Sequence, residues 1–252
     1  MSVNTLNLPE MRESDSWMGG TRHRFDFSGR QAWLVEPPEP APGRPWFAVP
    51  EWPTAFPARN GVKALLSLGF YMVHLKLFGE YANPAAVERM HAFYLQLREW
   101  GFAEKGALIG MSLGGLYSFR FAQTHPECVS CIYADAPVCD LAFANPRAGR
   151  TETAAEIARA YGAETLEQLR NHPLSPVNAV SRIAEAGIPV LMLLGLDDIV
   201  VDHVTNGSLL AEHFTAAGGR ITVTGRPYWG HHPHGLDDPA PIVRFILRNT
   251  IG

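Results

Sequence analysis

The sequence predicts an α/β fold in which a mostly parallel central sheet is flanked by helices. Short apolar or β-branched runs alternate with helical patterns along the chain, which is typical of strands joined by crossover helices. Hydrophobic residues make up 46% of the 252 residues and charged residues 18%, which is enough apolar material to bury a large core. We therefore expect a single α/β domain over residues 1–252.

Seven segments carry the strand pattern. They cover residues 32–35, 46–49, 70–75, 107–111, 129–134, 190–194 and 221–224. The last five are interpreted as continuous apolar runs, which predicts that they are central parallel strands covered on both faces.

The clearest helix is predicted to begin after Asn83, a helix-capping residue type, with Pro84 at the first helical position. It should end near Gly101. Its predicted core-facing stripe has residues spaced three or four apart: Val87, Met90, Tyr94 and Leu97.

No strand-like run is predicted between residues 137 and 186. Residues 153–161 and 164–171 predict two short helices there, and Pro173 and Pro176 follow them. We expect residues 137–186 to form a small helical lid inserted over the sheet.

Charge and hydropathy exclude several classes of partner. The chain has 21 Lys and Arg against 25 Asp and Glu, scattered along its length, which argues against binding to nucleic acid or to an anionic membrane. No apolar stretch is long enough to span a membrane. Residues 1–20 lack the basic start and apolar run of a secretory signal, so the sequence predicts a cytoplasmic protein.

Cys128 and Cys131 form a Cys-x-x-Cys pattern beside the apolar run at 129–134. Alternation along a strand would direct these two side chains to opposite faces of the sheet. The spacing therefore argues against a shared metal ion or a redox pair.

The candidate nucleophile is Ser112, at the centre of a Gly-x-Ser-x-Gly sequence from Gly110 to Gly114. An apolar run at 107–109 precedes it and a helical stretch at 116–125 follows. This strand, turn and helix context is the one in which such a motif lifts a serine into a strained, exposed turn. We expect side chains at the two glycines to collide with neighbouring backbone.

Carboxylates follow two of the predicted strands. Asp197 and Asp198 come shortly after the strand at 190–194, where a triad acid would be expected. Asp135 follows an earlier strand and is a reserve candidate, although a turn residue that bonds the backbone ahead of Pro137 would explain it equally.

Three histidines compete to be the base. His231, His232 and His234 lie between the strand at 221–224 and the predicted last helix at 241–247, which gives the chain order Ser, acid, His. We expect the two spare histidines to pack in the loop or make supporting hydrogen bonds. Strong zinc patterns use helical spacing or cysteine partners, so no metal and no cofactor is expected.

With these residues in hand, the chain resembles the α/β-hydrolase superfamily of serine hydrolases. Its Gly-x-x-Asp-x-x-Val spacing selects Asp198 as the acid. The Gly-His-x-Pro-His run is similar to that of haloperoxidase-like and dehalogenase-like members, in which the histidine directly after glycine is the base. The resemblance implies a catalytic triad of Ser112, Asp198 and His231, with His234 as the alternative base.

The resemblance covers residues 46–247. Within the superfamily, the sequence IYADAPVCD at residues 132–140 and the pair Pro45 and Trp46 are similar to a bacterial group often associated with polysaccharide breakdown. That group is expected to carry Arg after the nucleophile, whereas this chain has Leu113.

The oxyanion hole also departs from the superfamily pattern, because the usual His-Gly pair after the third strand is absent. The strand at 46–49 leads instead into Pro50, Glu51 and Trp52. Proline has no N–H to donate. The expected oxyanion donors are therefore the amide of Leu113 and that of either Glu51 or Trp52.

The expected reaction is cofactor-independent hydrolysis of a carboxylic ester through an acyl-enzyme, on small acyl or carbohydrate-linked esters. A lactonase, an amidase or a perhydrolase would use the same triad. A catalytically silent ligand receptor or scaffold is the alternative from a different class.

Aromatic residues are the candidates for the substrate pocket. Phe143 and Tyr161 come from the predicted lid, and Trp52 and Trp229 come from neighbouring loops. The alternative for Phe143 and Tyr161 is that they hold the lid onto the core.

Overall fold

A computed structural model of the chain describes residue 6 and residues 8–10, 12–143 and 151–251. The strands are β1 (Arg12–Trp17), β2 (Gly20–Phe27), β3 (Arg30–Glu36), β4 (Trp46–Ala48), β5 (Tyr71–Leu75), β6 (Gly106–Met111), β7 (Val129–Asp135), β8 (Val190–Gly195) and β9 (Ile221–Arg226). They form one nine-stranded sheet in the order β1-β2-β3-β5-β4-β6-β7-β8-β9. Neighbours from β1 to β5 in this order are antiparallel, and those from β5 to β9 are parallel. The mostly parallel sheet is thus confirmed.

Helices cover both faces of this sheet. They are α1 (Val62–Ser67), α2 (Pro84–Glu99), α3 (Leu113–Thr124), α4 (Thr151–Tyr161), α5 (Leu166–Arg170), α6 (Ser181–Glu185), α7 (Leu209–Ala216) and α8 (Ala240–Thr250). Buried residues of α2, α3 and α7 join one apolar cluster, and those of α1 and α8 join a second cluster. Among the described residues, no helix combines the length and the apolar character needed to cross a membrane.

All seven predicted strands are present, as β3 to β9, but β9 does not have the predicted environment. It lies at an edge of the sheet and pairs with β8 alone among the described strands. Residues 222–225 are exposed, including Val223 at 41%. The Thr-Val-Thr alternation suits an edge strand better than the continuous apolar run of a central one.

The sequence pattern does not predict β1, β2 or α1. Charged residues interrupt the apolar alternation of the two strands, and Arg22 pairs with Asp15 across them at 2.5 Å. The hairpin turn at Met18 and Gly19 has positive φ at both positions, 52° and 89°, as a tight turn between twisted strands requires. Helix α1 has only six residues, too few for a helical period to stand out.

Helix α2 begins as predicted. The Asn83 side chain accepts a hydrogen bond of 2.9 Å from the Ala86 amide, which satisfies one of the unpaired donors of the first turn. Pro84 occupies the first helical position, and Gly101 beyond the end of the helix has φ of 79°.

Cys128 and Cys131 are both buried and free. Cys128 belongs to the apolar cluster on one face of the sheet and Cys131 to the cluster on the other face. The expectation that the sheet separates them is confirmed.

The predicted lid region lies between β7 and β8 and contains α4, α5 and α6. Its residues 144–150 fall outside the described part of the chain. Helix α5 starts with a capping box in which Thr165 and Gln168 each bond the other's backbone amide. The Tyr161 hydroxyl donates to the carbonyls of Tyr81 and Ala82, at 3.0 and 2.8 Å, and so joins α4 to the loop before α2.

Candidate active site

The carboxyl ends of the parallel strands bring the predicted triad residues together. Ser112 follows the last residue of β6, Asp198 follows β8, and His231 follows β9. Parallel strands end at the same edge of a sheet, so residues far apart in the chain meet there. This edge is where open α/β sheets bind their ligands.

Ser112 occupies a strained turn between β6 and α3. Its φ of 52° and ψ of −121° are unfavourable for a residue with a side chain. Two hydrogen bonds hold this conformation: the Ser112 amide donates to the Asp135 carbonyl at 3.0 Å, and the Ser112 carbonyl accepts from the Gly115 amide at 2.9 Å. The turn therefore presents the hydroxyl at the end of the strand.

Of the two glycines expected to be required at the turn, the structure supports only one. A Cβ at Gly110 would lie 2.7 Å from the Gly114 carbonyl oxygen, so the expected collision is confirmed there. A Cβ at Gly114 would lie 3.6 Å from Glu51, which is ordinary contact, so the expectation is wrong for Gly114. A Cβ at Gly115 would lie 2.3 Å from that of Pro137, so Gly115 is the second position where the packing demands glycine.

A continuous chain of hydrogen bonds joins the three residues. His231 Nε2 lies 3.1 Å from Ser112 Oγ, and His231 Nδ1 lies 2.7 Å from Asp198 Oδ2. The three residues are only 7%, 6% and 8% exposed in the order Ser, His, Asp. The geometry assigns the Nδ1 proton to the bond with Asp198 and leaves the Nε2 lone pair for the serine hydroxyl.

Asp198, and not Asp197, is the carboxylate bonded to the histidine. Its second oxygen accepts from the amides of Val200 and Val201 at 2.8 and 2.9 Å. Burial raises the pKa of Asp198, but the hydrogen bonds from His231 and the two amides outweigh it and leave the pKa below its usual value. Asp197 is exposed.

Asp135, the reserve acid, is fully buried but does not bond His231. Its Oδ1 accepts from Arg226 Nη2 at 3.0 Å and from His234 Nδ1 at 3.1 Å, and its Oδ2 accepts from the Gly235 amide at 2.7 Å. His234 therefore pairs with Asp135 and not with Ser112. Asp135 ties the end of β7 to the loop that carries His231.

Two arginines that no motif pointed to brace the same loop. Arg226, the last residue of β9, donates to the Gly235 carbonyl at 2.9 Å. Arg59 donates to the His234 carbonyl at 2.8 Å and to the Gly235 carbonyl at 3.3 Å. The only sequence signal for Arg226 is a cation at the end of a strand, which is too common a pattern to be informative.

The loop after β4 lies against the first turn of α3. The main-chain N and O of Glu51 lie 3.6 and 3.7 Å from the place where a Gly114 Cβ would stand. Among the hydrogen bonds between described residues, none is donated by the amides of Leu113, Glu51 or Trp52. Trp52 has φ of 58°, a strained value for a non-glycine residue. The Leu113 and Glu51 amides thus lie at the serine turn with no acceptor among the described residues, and the Trp52 amide follows in the same loop.

The Glu51 side chain is buried in this loop. It is 4% exposed, and its Oε1 atom has no hydrogen-bond partner within the described residues. Burial raises the pKa of Glu51 to about 7, against a smaller lowering by Lys76. The carboxyl group can therefore be neutral near neutral pH.

The four aromatic candidates have different surroundings. Trp52 is 38% exposed, and its ring packs edge-on against the exposed Phe78 at 5.6 Å. Trp229 donates from Nε1 to the Pro233 carbonyl at 3.0 Å. Phe143 is 4% exposed and belongs to the main apolar cluster, and Tyr161 is anchored through its hydroxyl.

The chain of hydroxyl, imidazole and buried carboxylate is suited to nucleophilic catalysis. The imidazole can take the hydroxyl proton as the oxygen attacks a carbonyl carbon, and the carboxylate stabilises the imidazolium that forms. Free amides beside the hydroxyl can hold the developing negative charge.

The fold is similar to solved structures of hydrolases. An esterase/lipase from an uncultured bacterium shares 18% identity with a TM-score of 0.64, over 97% of this chain and 87% of that one. An S-formylglutathione hydrolase from Agrobacterium tumefaciens shares 15% identity with a TM-score of 0.61, over 93% of this chain and 94% of that one. An acylaminoacyl peptidase from Pyrococcus horikoshii shares 14% identity with a TM-score of 0.63; the match spans 87% of this chain but 37% of the peptidase.

No family model matches the sequence, and no curated protein matches it. The sheet order, the helices on both faces and the three-dimensional likeness agree with the resemblance found in the sequence. This chain has the α/β-hydrolase fold.

Proposed function

We propose that this protein is a serine hydrolase that cleaves carboxylic esters of small molecules. The observation that carries the proposal is the buried hydrogen-bond chain from Ser112 through His231 to Asp198, with links of 3.1 and 2.7 Å. The three residues lie at the carboxyl edge of the sheet, with Ser112 on a strained turn, as nucleophilic catalysis in this fold requires.

In the proposed first step, Ser112 Oγ attacks the ester carbonyl carbon while His231 Nε2 takes the hydroxyl proton. Asp198 holds the imidazole in the required tautomer and stabilises its positive charge. The Leu113 amide, with that of Glu51 or Trp52, holds the oxyanion.

Collapse of the tetrahedral intermediate expels the alcohol, which takes its proton from His231 and leaves an acyl group on Ser112. Water then attacks the acyl-enzyme with His231 again acting as base, and the acid product leaves. Both halves of the reaction use the same groups, so no cofactor is needed.

Two similar structures and one sequence likeness supply the choice of esters as the first substrates to test. One similar structure is named an esterase/lipase, and another is named a hydrolase of S-formylglutathione. The sequence likeness to a group associated with polysaccharide breakdown adds carbohydrate-linked esters to the substrates to be tested. Lactonase, amidase and perhydrolase activities differ from this proposal in pocket shape and not in the catalytic residues.

A fluorophosphonate probe and a panel of acyl and sugar esters test the proposal. The probe should label one residue, Ser112, and Ser112→Ala should abolish labelling and lower ester turnover on the order of 10³-fold or more while the protein stays folded. Ser130→Ala is the matched control, since this serine bonds Thr250 away from the triad. A Ser112→Ala protein with half of the normal turnover would refute the proposal, and a folded protein that the probe never labels would favour a silent scaffold.

A further inference from the structure

Three imidazole rings converge at the site in a regular arrangement. The ring centroids of His231, His232 and His234 lie 4.8, 4.9 and 4.9 Å apart, and the rings are inclined to one another by 68°, 79° and 85°. One ligand atom from each residue lies within 4.8 Å of the others. Edge-to-face contact is the ordinary packing of such rings, so the candidate metal site depends on their ligand atoms lying close together.

Two of the rings are oriented in the manner of metal ligands. His231 Nδ1 bonds Asp198 at 2.7 Å, and His234 Nδ1 bonds Asp135 at 3.1 Å. A histidine that binds a metal almost always has its second ring nitrogen held by such a partner, which fixes the tautomer and raises the basicity of the ligating atom. The Nε2 atom is therefore the candidate ligand atom of each ring, and a metal ion at His231 Nε2 would replace its 3.1 Å hydrogen bond with Ser112.

The third ring, that of His232, is the one that solvent reaches. His231 and His234 are buried, whereas His232 is exposed and its ring stacks on Phe56 at 5.7 Å. Zinc–imidazole bonds of about 2.0–2.1 Å place nitrogens about 3.4 Å apart in a tetrahedron. Side-chain rotation of the exposed ring toward the two fixed rings is the movement that closing the site needs.

The charges nearby also suit a dication. The carboxylates of Asp198 and Asp135 lie directly behind two of the rings. Arg226 offsets part of this by pairing with Asp135 at 3.0 Å, and the second cation, Arg59, is itself paired with Asp237. Imidazole nitrogens select borderline metals such as Zn²⁺, Co²⁺ and Ni²⁺, and not Mg²⁺ or Ca²⁺, which prefer oxygen.

We propose that His231, His232 and His234 form a binding site for Zn²⁺ or a similar transition-metal dication, and that the bound ion inhibits the hydrolase. Inhibition follows because the ion takes the His231 Nε2 lone pair that would otherwise accept the Ser112 proton. The inhibition rests on the proposed function, but the binding does not. The sequence predicts no metal here because the three histidines lack the helical spacing of strong zinc motifs. In the structure, the conformation of the loop between β9 and α8 brings their rings together.

Direct binding is the first measurement. The chelator-treated full chain is titrated with Zn²⁺ by calorimetry and with Co²⁺ by visible absorption, in which a nitrogen-ligated ion of low coordination number has intense d–d bands. We expect one ion per chain. His232→Ala should weaken binding by 10-fold or more, because loss of even an outer partner of a ligand costs roughly 10–100-fold.

A second cluster of metal-ligating residues, at Glu88, His91 and His125, supplies the matched control. Its two histidine rings are stacked nearly parallel, 3.8 Å apart and 9° inclined, which prevents both from directing a nitrogen at one ion. His91→Ala should therefore leave Zn²⁺ affinity unchanged. A loss of binding in His91→Ala, or full binding in His232→Ala, would overturn the proposed site.

The effect on catalysis is measured separately. Zn²⁺ should inhibit ester turnover and slow fluorophosphonate labelling, chelator should restore both, and equal Mg²⁺ should do neither. Each variant is compared with its own metal-free rate, and His232→Ala should raise the half-inhibiting Zn²⁺ concentration in parallel with its weaker binding. Binding without inhibition would overturn the second half of the proposal. If the metal-free protein has no ester turnover, the proposed function fails while the binding titrations still decide the metal site.

Discussion

Two neighbouring aspartates differ in their bonds although the chain places both at the end of β8. Asp198 is buried and accepts three hydrogen bonds, whereas Asp197 is exposed. A carboxylate bonded to Nδ1 keeps the lone pair of Nε2 directed at the serine, and an amide in its place can favour the wrong tautomer. One residue of spacing thus separates a proposed catalytic role from a surface one.

Asp198→Asn should lower kcat on the order of 10³-fold or more, and Asp197→Asn should leave it within about twofold. The two variants are isosteric changes at adjacent positions, so they control for each other. Steady-state kinetics on one ester, with circular dichroism to check folding, measure both. The reverse ranking would contradict the assignment, and loss of activity in Asp135→Asn alone would move the acid one strand earlier.

Glu51 is the residue whose ionisation is most disturbed near the proposed oxyanion donors. Burial raises the pKa of its carboxyl from 4.5 to about 7, so the folded state binds this proton more tightly than the unfolded chain does. The stability that results is fully present below pH 4.5 and is lost as pH rises through 7.

Glu51→Gln should therefore reduce the loss of stability between pH 5 and pH 8.5 by up to about 3 kcal/mol, because 2.5 pKa units correspond to roughly that free energy. Urea unfolding at the two pH values measures the difference. Glu39→Gln, at an exposed position, is the control. Identical pH profiles for Glu51→Gln and the unaltered protein would contradict the expectation.

The loop between β9 and α8 depends on a buried ion pair for its shape. Arg226 and Asp135 lie at 3.0 Å, with the arginine 10% and the aspartate 0% exposed at the side chain, and both also bond Gly235. Removing one member leaves an unpaired buried charge, which is far more costly than removing both. The pair therefore holds the loop that carries His231.

Asp135→Asn and Arg226→Met should each lower the free energy of unfolding by about 3–5 kcal/mol, and the double variant should recover much of that loss. If the pair positions His231, the folded double variant should still have a kcat reduced by 10-fold or more with little change in KM. Thermal unfolding and steady-state kinetics measure the two effects, with Arg220→Met as the surface control. A double variant with normal kcat would reduce the pair to a stabilising role.

The segment at 137–186 is the element we propose to cover Ser112 and contribute to the substrate pocket. Tyr161 donates to two carbonyls of the loop before α2, which is an anchoring contact. Trp52, in contrast, belongs to the proposed oxyanion loop, is partly exposed and packs against the exposed Phe78. Anchoring and selection of the acyl group are therefore expected from different aromatic residues.

Tyr161→Phe should lower the free energy of unfolding by about 1 kcal/mol, through its lost hydrogen bonds, and change the rates of all esters alike. Trp52→Ala should change relative kcat/KM values across a graded series of acyl chain lengths. Thermal unfolding and the ester series separate these outcomes. Uniform effects from both variants would contradict a pocket role for Trp52 while leaving the triad assignment untouched.

At the scale of the whole molecule, strand order decides which loops meet. The chain crosses from β3 to β4 and returns, so that β5 lies between them and β4 pairs with β6. The loop after β4, which carries Glu51, is thereby set against the serine turn after β6. The same parallel arrangement directs the loops after β7, β8 and β9 to one edge, although His231 lies 119 residues from Ser112 in the chain.

The sequence by itself determined the features whose causes are local. The strand runs from β3 to β9, the cap at Asn83 and the Gly-x-Ser-x-Gly turn depend on residues within a few positions of one another. The charged hairpin of β1 and β2 escaped prediction because cross-strand pairs stabilise it in place of a regular apolar pattern. The expected residues of the site followed from chain order and from the superfamily resemblance.

Only the tertiary structure decided which groups bond which. It paired His231 with Asp198 and His234 with Asp135, placed β9 at an edge, and left the Glu51 carboxyl buried. The physical reason is that hydrogen-bond partners and burial depend on contacts between strands remote in sequence, which local patterns do not encode. The convergence of three histidines has the same origin, since it arises from a loop fixed by the Asp135 and Arg226 side chains.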